Sequence, residues 1–280
     1  MARSYAARMT SSDRPGVRLR REPPGFRRVQ VRRVEDLSPW LRRVTVAGPE
    51  LAGLPEGLPA ASVRLLLPRG DAAELPSWNG NEFRYEDGAR PAIRSLTPRR
   101  VATDADAADD AELDVDIVLH GTGALSGWAG AAAPGAPVSV AGTGRGYTID
   151  PAAREVVVAG DETALAAIAV LLEALPPAAA VRVLLEVAHP DARIHLPTHP
   201  GASVSWHDLP AGEPPGAALV PAVEALELAP EVRLWAAGEA AAVQRLRRHA
   251  FDVRGLARSQ AVVRGYWKRG RAGGAGDEAP

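Results

Sequence analysis

Residues 155–168 read E-V-V-V-A-G-D-E-T-A-L-A-A-I, and this segment is the strongest indication of the fold of the second half of the chain. Three consecutive valines are typical of a strand that is buried on both faces, as in a parallel sheet. Gly160 permits a tight turn after the strand, and Asp161 or Thr163 can cap a helix predicted over 164–175. A strand, a short turn and a helix N-terminus together form a site that accepts a phosphate group.

Strands and helices continue to alternate after this unit. The pattern predicts strands at 155–159, 181–187, 202–206, 232–237 and 259–265, with helices at 164–175, 217–226 and 240–254. Strands separated by helices indicate a doubly wound parallel sheet of the α/β class. We place this domain at residues 151–270 and a disordered tail at 271–280.

The first half has a different pattern. Short strands are predicted to begin at Val29 and to follow at 41–46, 63–67, 93–97, 114–120 and 137–141, with long polar loops at 70–91 and 104–112. Such closely spaced strands favour an antiparallel barrel, which we place at residues 26–150. Residues 1–25 are rich in Arg, Ser and Pro, and we expect a disordered arm there.

The composition of the chain excludes several kinds of functional site. The chain has 280 residues, no cysteine and a formal net charge of -1. The lack of cysteine excludes disulfides and iron–sulfur clusters held by this chain, and the charge gives no indication of a nucleic-acid partner. No apolar run reaches the ~20 residues of a membrane helix, and no secretory signal is recognisable. We expect a cytoplasmic monomer.

A second segment could also accept a phosphate. The predicted strand 114–120 is followed by Gly121, Gly123, Ser126 and Gly127, and we interpret Gly121 to Trp128 as a turn that presents backbone N–H groups. Two anion-accepting turns in one chain indicate two bound nucleotides. Two nucleotides in turn favour electron transfer as the function.

Five ordered motifs carry a resemblance to a known family. They are R-S-L-T-P-R at 94–99, L-H-G at 119–121 with S-G-W-A at 126–129, A-G-D-E-T-A at 159–164, W-A-A-G-E at 235–239 and G-Y-W-K-R-G at 265–270. The chain resembles the siderophore-interacting proteins, a branch of the ferredoxin-NADP reductase superfamily. The resemblance implies an N-terminal antiparallel FAD-binding barrel followed by a C-terminal doubly wound nicotinamide-binding domain.

The resemblance also implies which residues contact FAD. Arg94 would pair with the pyrophosphate, since its planar guanidinium can donate two hydrogen bonds to phosphate oxygens. Leu96 departs from the family, in which a tyrosine lies against the flavin ring; Tyr147 or another aromatic residue could substitute. The remaining FAD contacts expected from the motifs are Ser95, Thr97, His120, Gly121, Gly123, Ser126 and Trp128.

The nicotinamide nucleotide would meet the second domain at the ends of its strands. Glu186 would accept from an adenosine ribose hydroxyl, and the lack of an arginine cluster beyond it favours NADH over NADPH. The other residues expected to face this nucleotide are Gly160, Asp161, Glu162, Thr163, Gly238 and Glu239.

By the same resemblance, the activity is reduction of ferric siderophores. NADH or NADPH, or a ferredoxin, would supply electrons to FAD, which would pass them singly to Fe(III). We expect no protein side chain to act as nucleophile or base and no metal held by the protein. Lys268, Arg269 and Arg64 are candidates to bind the anionic ferric siderophore. A related flavin reductase with another acceptor, and a redox-inactive siderophore-binding protein, are the alternatives.

Overall fold

The computed structural model describes residues 25–55, 57–69, 74–103, 111–120 and 123–271. The expected arm at 1–25 and tail at 271–280 lie outside these ranges apart from Gly25 and Arg271. The strands of the first half are β1 (Phe26–Ser38), β2 (Leu41–Ala47), β3 (Val63–Leu66), β4 (Ser77–Trp78), β5 (Phe83–Arg84), β6 (Ile93–Leu96), β7 (Pro98–Ala102), β8 (Glu112–Val118) and β9 (Pro137–Thr143).

Seven of these strands form one antiparallel sheet in the order β6-β3-β9-β1-β2-β8-β7. The two strands at its ends, β6 and β7, are consecutive in the chain and are separated only by Thr97. The two ends of the sheet therefore meet at Thr97, and the predicted antiparallel barrel is confirmed. Its interior is filled by fully buried side chains, among them Val44, Val46, Val63, Leu65 and Val115.

The sequence patterns did not predict strand β7, the hairpin β4–β5 or the helix that follows β8. Strand β7 starts at Pro98, a residue that argues against a central strand but is tolerated at the first position of an edge strand. The hairpin β4–β5 lies inside the predicted loop 70–91 and is too short to show a periodicity. Its Phe83 packs with Leu66 and Ile93 on the barrel wall. The hairpin could not be recognised in the polar sequence of this loop, because only a few side chains of the loop are buried.

The third missed element is helix α1 (Ala124–Ala131). The prediction that Gly121 to Trp128 form a turn is therefore wrong from Ala124 onward, whereas the donation of N–H groups to a phosphate by this segment stays a prediction. Gly123 is the N-cap of this helix, and Ser126 lies within it. The glycines at 127 and 130, which have low helix propensity, disguised the helix in the sequence.

The second half is a parallel sheet flanked by helices. Its strands are β10 (Glu155–Asp161), β11 (Ala180–Val187), β12 (Ala202–Asp208), β13 (Arg233–Glu239) and β14 (Ala261–Trp267), in the order β12-β11-β10-β13-β14. The helices are α2 (Leu165–Ala174), α3 (Leu219–Glu224) and α4 (Ala240–Arg248). All four neighbouring pairs are parallel, which confirms the predicted doubly wound fold.

Two local expectations in this half need correction. Gly160 does not form a turn, because it lies in strand β10. A Cβ atom at this position would lie 2.6 Å from Cβ of Ala164 and 2.8 Å from the carbonyl oxygen of Ala237, so glycine is needed for close packing. The last helix is also shorter than predicted: α4 ends at Arg248 and continues as a π-helical turn at His249–Val253.

The two halves are in contact through apolar and polar groups. Leu41 and Tyr147 of the first half belong to the same buried cluster as Val156 and Ile168 of the second. Arg99 donates to both carboxylate oxygens of Glu173 in α2, at 2.9 and 2.6 Å. No helix within the described ranges has the length and apolar character needed to cross a membrane.

Candidate functional site

The candidate site of the second half lies where the strand order reverses. Strands β10 and β13 are adjacent in the sheet, and the chain leaves them in opposite directions, toward β11 and toward β14. In doubly wound sheets, ligands bind outside the carboxyl ends of the strands at such a point. Asp161 ends β10 and Glu239 ends β13, so the A-G-D-E-T-A and W-A-A-G-E motifs meet here.

The carboxylate of Asp161 is held entirely by groups of the protein. Its Oδ1 accepts from the backbone N of Thr163 at 2.9 Å and from the Thr163 hydroxyl at 2.5 Å. Its Oδ2 accepts from the backbone N of Glu239 at 2.9 Å and from Nε1 of Trp267 at 2.8 Å. Burial raises the pKa of Asp161, and these four hydrogen bonds favour the ionised form and oppose that shift. Asp161 therefore ties β10 to β13 and β14, and Thr163 is one of its donors.

Gly238 is required by the position of Asp161. Its φ angle is 150°, and a Cβ atom there would lie 2.6 Å from Oδ2 of Asp161. Glycine is the residue that tolerates both the backbone conformation and this close approach.

Glu239 caps helix α4. Its Oε2 accepts from the backbone N of Ala241 at 2.6 Å and of Ala242 at 3.1 Å. Its Oε1 accepts from the backbone N of Arg269 at 3.3 Å. Glu239 thus connects α4 with the segment that follows β14, and its side chain is only 5% exposed.

Glu162 is a half-buried carboxyl group that directly follows strand β10 at the carboxyl end of the sheet. It begins the 3-10 turn Glu162–Ala164 in front of α2, and its Oε1 accepts from the backbone N of Ala188, just beyond β11. Burial raises the pKa of Glu162 to about 7, and the nearby charges of Asp161 and Glu186 add to this effect. Glu162 therefore changes protonation state near neutral pH.

Glu186 has a different environment from the one predicted. It is 2% exposed, and its two oxygens accept from the backbone N of Gly216, Ala218 and Leu219, at 2.6, 2.9 and 2.9 Å. These contacts cap the start of α3. The cap uses three of the acceptor sites of this buried carboxylate, and the ribose role remains a prediction.

The candidate site of the first half centres on Arg94 in β6. This side chain is half-buried, and its NH1 donates to the carbonyl of Ile93 at 2.8 Å. Within the described part of the chain, no carboxylate lies within ion-pair distance of its guanidinium. Its pKa is lowered because burial disfavours the charged form without an ionic partner to offset it. A half-buried cation in this condition is suited to bind an anion from outside the protein.

Strand register decides which of the neighbouring side chains can act with Arg94. In the β3–β6 pair, Arg94 is opposite Leu65 and Leu96 is opposite Val63, whereas Arg64 is opposite Ser95. Directly opposed residues share a face, and successive residues alternate between faces. Arg94 and Leu96 therefore lie on the core-facing side of the barrel wall, and Arg64 lies with Ser95 on the other side. The structure does not bring Arg64 together with Arg94.

Thr97 lies at the junction of the two halves. Its side chain is 9% exposed, and its hydroxyl is 3.5 Å from the hydroxyl of Tyr266 in β14. Tyr266 also packs edge-on against the buried ring of Trp235, with 6.4 Å between centroids. The terminal G-Y-W-K-R-G motif thus contacts both halves: Tyr266 reaches the closure of the barrel, and Trp267 reaches Asp161. Lys268 and Arg269 follow immediately and are exposed.

The segment between β8 and α1 is only partly described, and Gly121 lies outside the described residues. Ser126 is buried, and its hydroxyl accepts from the backbone N of His120 at 3.0 Å. A Cβ atom at Gly123 would lie 2.8 Å from Cε1 of His120, so glycine allows this imidazole to fold against the start of α1. Trp128 packs against the barrel core. Among these residues, His120 has the most exposed side chain.

These residues fit an FAD molecule in one decisive respect and differ from the family in another. The half-buried Arg94, which has no carboxylate partner among the described residues, supplies a cation for a pyrophosphate. Leu96, which is half-buried against the barrel core, supplies apolar area but no aromatic face. Tyr147 is 7% exposed inside the cluster shared by the two halves, so its ring is not presented to a ligand as a substitute.

Three contacts of the site were missed by sequence reasoning. They are the hydrogen bond between Trp267 and Asp161, the contact between Tyr266 and Thr97, and the ring stack of Trp40 on His189. Trp267 and Tyr266 belong to the G-Y-W-K-R-G motif, in which the sequence predicted a binding role only for the charged residues Lys268 and Arg269. The aromatic character of that motif was the available signal.

Comparisons with known proteins agree with this architecture. The protein-family model described as siderophore-interacting FAD-binding domain matches residues 30–147. The family model described as siderophore-interacting protein matches residues 153–270. A siderophore utilization protein from T. fusca, solved by crystallography, has a TM-score of 0.75 and 34% identity, and the alignment covers 89% of this chain and 95% of that one.

Two curated relatives are named as reductases. The ferric vibriobactin reductase ViuB of Vibrio cholerae is 29% identical over 241 residues, which are 84% of this chain and 86% of the relative. The NADPH-dependent ferric-chelate reductase of Escherichia coli is 28% identical over 253 residues, which are 86% of this chain and 92% of the relative. With both family models matched in order along most of its length, the chain belongs to the siderophore-interacting protein family, with the fold of the ferredoxin-NADP reductase superfamily.

Proposed function

We propose that this protein is an FAD-dependent reductase of ferric siderophores that takes electrons from NADH or NADPH. The observation that carries this proposal is Arg94, a half-buried guanidinium without a carboxylate partner among the described residues, on the strand next to the barrel closure. Family membership and the names of the two reductase relatives support the same reading.

The protein's own residues would bind and orient. Arg94 would hold the pyrophosphate of FAD, and the backbone around Gly123 at the start of α1 would add N–H donors. Thr97 and Tyr266 would fix the barrel closure against β14. FAD, when bound, accepts a pair of electrons from a nicotinamide and releases them one at a time, so that each nucleotide can reduce two ferric ions. No side chain is needed as a nucleophile or base.

The substrate would be recognised by charge. Lys268 and Arg269 are exposed directly after the Trp267–Asp161 hydrogen bond, which fixes the end of β14. Two cations at this position would raise the local concentration of an anionic ferric siderophore. Arg64 is a weaker candidate, because it lies on the opposite face of the sheet from Arg94. Reduction to Fe(II) would weaken binding by hard oxygen donors and allow release of the iron.

The charges beyond β11 favour NADH over NADPH as donor. The additional phosphate of NADPH needs a cation near the adenosine ribose. Arg193 follows β11, but it is already paired with Asp208 at 2.6 Å. The relative from Escherichia coli is named as NADPH-dependent, so the two nucleotides need to be compared directly on this protein.

The test is an anaerobic assay in which a chromogenic ligand traps Fe(II). Ferric hydroxamate and catecholate siderophores and ferric citrate serve as acceptors, and NADH, NADPH and a reduced ferredoxin serve as donors. The proposal predicts faster Fe(II) formation from the siderophores than from citrate, with the highest kcat/KM for NADH. Equal rates with all acceptors would instead favour a general flavin reductase.

One feature favours a second candidate, a redox-inactive siderophore-binding protein. Leu96 replaces the aromatic residue of the family motif, and the loss of that aromatic face weakens flavin binding by about 1 kcal/mol. A colourless purified protein that still binds the ferric chelate, and forms no Fe(II) with any donor, would identify this alternative.

A further inference from the structure

Trp40 and His189 form a parallel ring stack across the two halves of the molecule. Their ring centroids are 3.9 Å apart and the planes differ by 10°. Trp40 lies in the short turn between β1 and β2, and His189 lies two residues beyond the end of β11. The stack is therefore built from two loops of different domains, and neither the sequence motifs nor the proposed electron transfer accounts for it.

The stack lies between the two segments that the sequence predicts to accept a phosphate, one at His120 and the other at Glu162. The carbonyl of Trp40 accepts from the backbone N of Leu119 at 2.8 Å, which places Trp40 beside the His120 segment. On the other side, the backbone N of Ala188, the neighbour of His189, donates to Glu162 at the start of the 3-10 turn before α2. The stack therefore has the His120 segment on one side and the start of the 3-10 turn before α2 on the other.

The two rings can part without disturbing a core. His189 is exposed and Trp40 is half-buried, and both belong to connecting segments. A flat base between two parallel rings requires a centroid separation of about 7 Å, or two contact distances of about 3.5 Å. The rings would thus need to separate by roughly 3 Å.

We propose that Trp40 and His189 form a clamp that takes an adenine ring between them. The structure shows the clamp closed, ring on ring. Trp40 and His189 present two flat aromatic faces, and a purine between them can stack on both. FAD and NAD(P)H both carry adenine, so either could supply the base. The inference rests on the proposed function for the presence of these nucleotides, but it concerns binding and needs no turnover.

The experiment measures two affinities by isothermal titration calorimetry. The first is that of ADP for the flavin-loaded protein, because ADP carries adenine but no nicotinamide or flavin. The second is that of FAD for the flavin-stripped protein. The variant is the double substitution Trp40→Ala with His189→Ala. A single substitution is less informative, because it leaves one aromatic ring on which adenine could still stack.

Two controls separate stacking from general loosening of the domains. Trp40→Phe with His189→Phe keeps two flat rings. Arg99→Ala with Glu173→Ala removes another contact between the halves, the ion pair of 2.6 Å, without touching an aromatic ring. Both controls are expected to stay within twofold of the wild type in both affinities.

The double alanine variant is expected to lose about tenfold in one affinity. A loss for ADP alone assigns the clamp to the nicotinamide nucleotide, and a loss for FAD alone assigns it to the flavin. If neither affinity changes, or if the Arg99 and Glu173 control loses as much, the clamp is overturned. Failure of the proposed function would be a different result, in which the wild-type protein binds FAD but forms no Fe(II), or does not bind FAD.

Discussion

Nε1 of Trp267 donates to Oδ2 of Asp161 at 2.8 Å, although the two residues are 106 positions apart in the chain. This contact joins the terminal G-Y-W-K-R-G motif to the A-G-D-E-T-A motif. It places Lys268 and Arg269 at the carboxyl end of the sheet, where the strand order reverses. The aromatic residue of the terminal motif therefore has a positioning role beside the two cations that follow it.

Replacing Trp267 by phenylalanine keeps most of the apolar area and removes one donor to Asp161. A hydrogen bond to a charged group contributes ~2 kcal/mol, so the free energy of unfolding should fall by about that amount. Urea unfolding at pH 7 measures it. Trp206→Phe, on the edge strand β12, is the matched control and should change stability little. Equal effects of the two substitutions would show that the indole N–H is unimportant.

Arg94→Ala should release FAD without unfolding the protein. Loss of a charge-assisted contact with the pyrophosphate should weaken FAD binding at least ~10-fold. Flavin fluorescence on dilution measures the affinity, and circular dichroism checks the fold. Arg245→Ala on helix α4 serves as control and should retain the flavin. Full flavin occupancy in Arg94→Ala would contradict the FAD-binding role of Arg94, on which the proposed function depends.

Gly238→Ala and Gly127→Ala form a second matched pair. At Gly238 the φ angle is 150° and a Cβ atom would lie 2.6 Å from Asp161, whereas at Gly127 no atom lies within 4 Å. We expect Gly238→Ala to destabilise the protein by more than ~2 kcal/mol through backbone strain and overpacking. Gly127→Ala, inside helix α1, should stabilise it by ~0.5 to 1 kcal/mol. Thermal unfolding compares the two, and a tolerated Gly238→Ala would contradict the described packing around Asp161.

Glu162 should make stability fall as pH rises toward neutrality. Its pKa is raised to about 7 in the folded protein, above the 4.5 of an unperturbed group. Between these values the folded protein binds the proton and the unfolded chain does not, so the free energy of unfolding decreases with rising pH. Glu162→Gln should therefore be more stable than wild type at pH 8 and equal to it below about pH 4.5. Urea titrations across this range test it, and parallel curves for both proteins would refute it.

Glu112 should have the opposite pH dependence. Hydrogen bonds from Arg33 and Arg100 lower its pKa from 4.5 to about 2. Its contribution to stability is present above pH 4.5 and is lost as the pH falls toward 2. Glu112→Gln should be less stable than wild type at pH 7, and the difference should vanish near pH 2. A difference that persists at low pH would assign the effect to packing instead of charge.

Much of the architecture could be predicted from local patterns. The valines of β10 predicted a buried parallel strand, and the motif that follows predicted a helix start. Strand β7 could not be predicted, because Pro98 suggests a break unless the strand is known to lie at an edge. The hairpin β4–β5 depends on a few buried contacts of Phe83, which no periodicity records.

The site was harder to predict than the fold, because its key contacts are distant in sequence. Asp161 and Glu186 stand where an acidic residue can face a nucleotide. Two of the four hydrogen bonds to Asp161 come from donors 78 and 106 residues away, and the donors to Glu186 come from 30 to 33 residues away. Only the three-dimensional structure reveals that backbone and indole N–H groups already occupy these carboxylates.

The visible spectrum of the purified protein during an anaerobic titration tests the proposed electron transfer from NADH through FAD to iron. We expect a yellow protein whose flavin band bleaches when NADH is added and recovers when a ferric siderophore follows. Two equivalents of ferric chelate should restore the band consumed by one equivalent of NADH, because the nucleotide supplies an electron pair and each ferric ion accepts one electron. A protein without a flavin band after reconstitution with FAD, or a bleached band that a ferric siderophore does not restore, would contradict it.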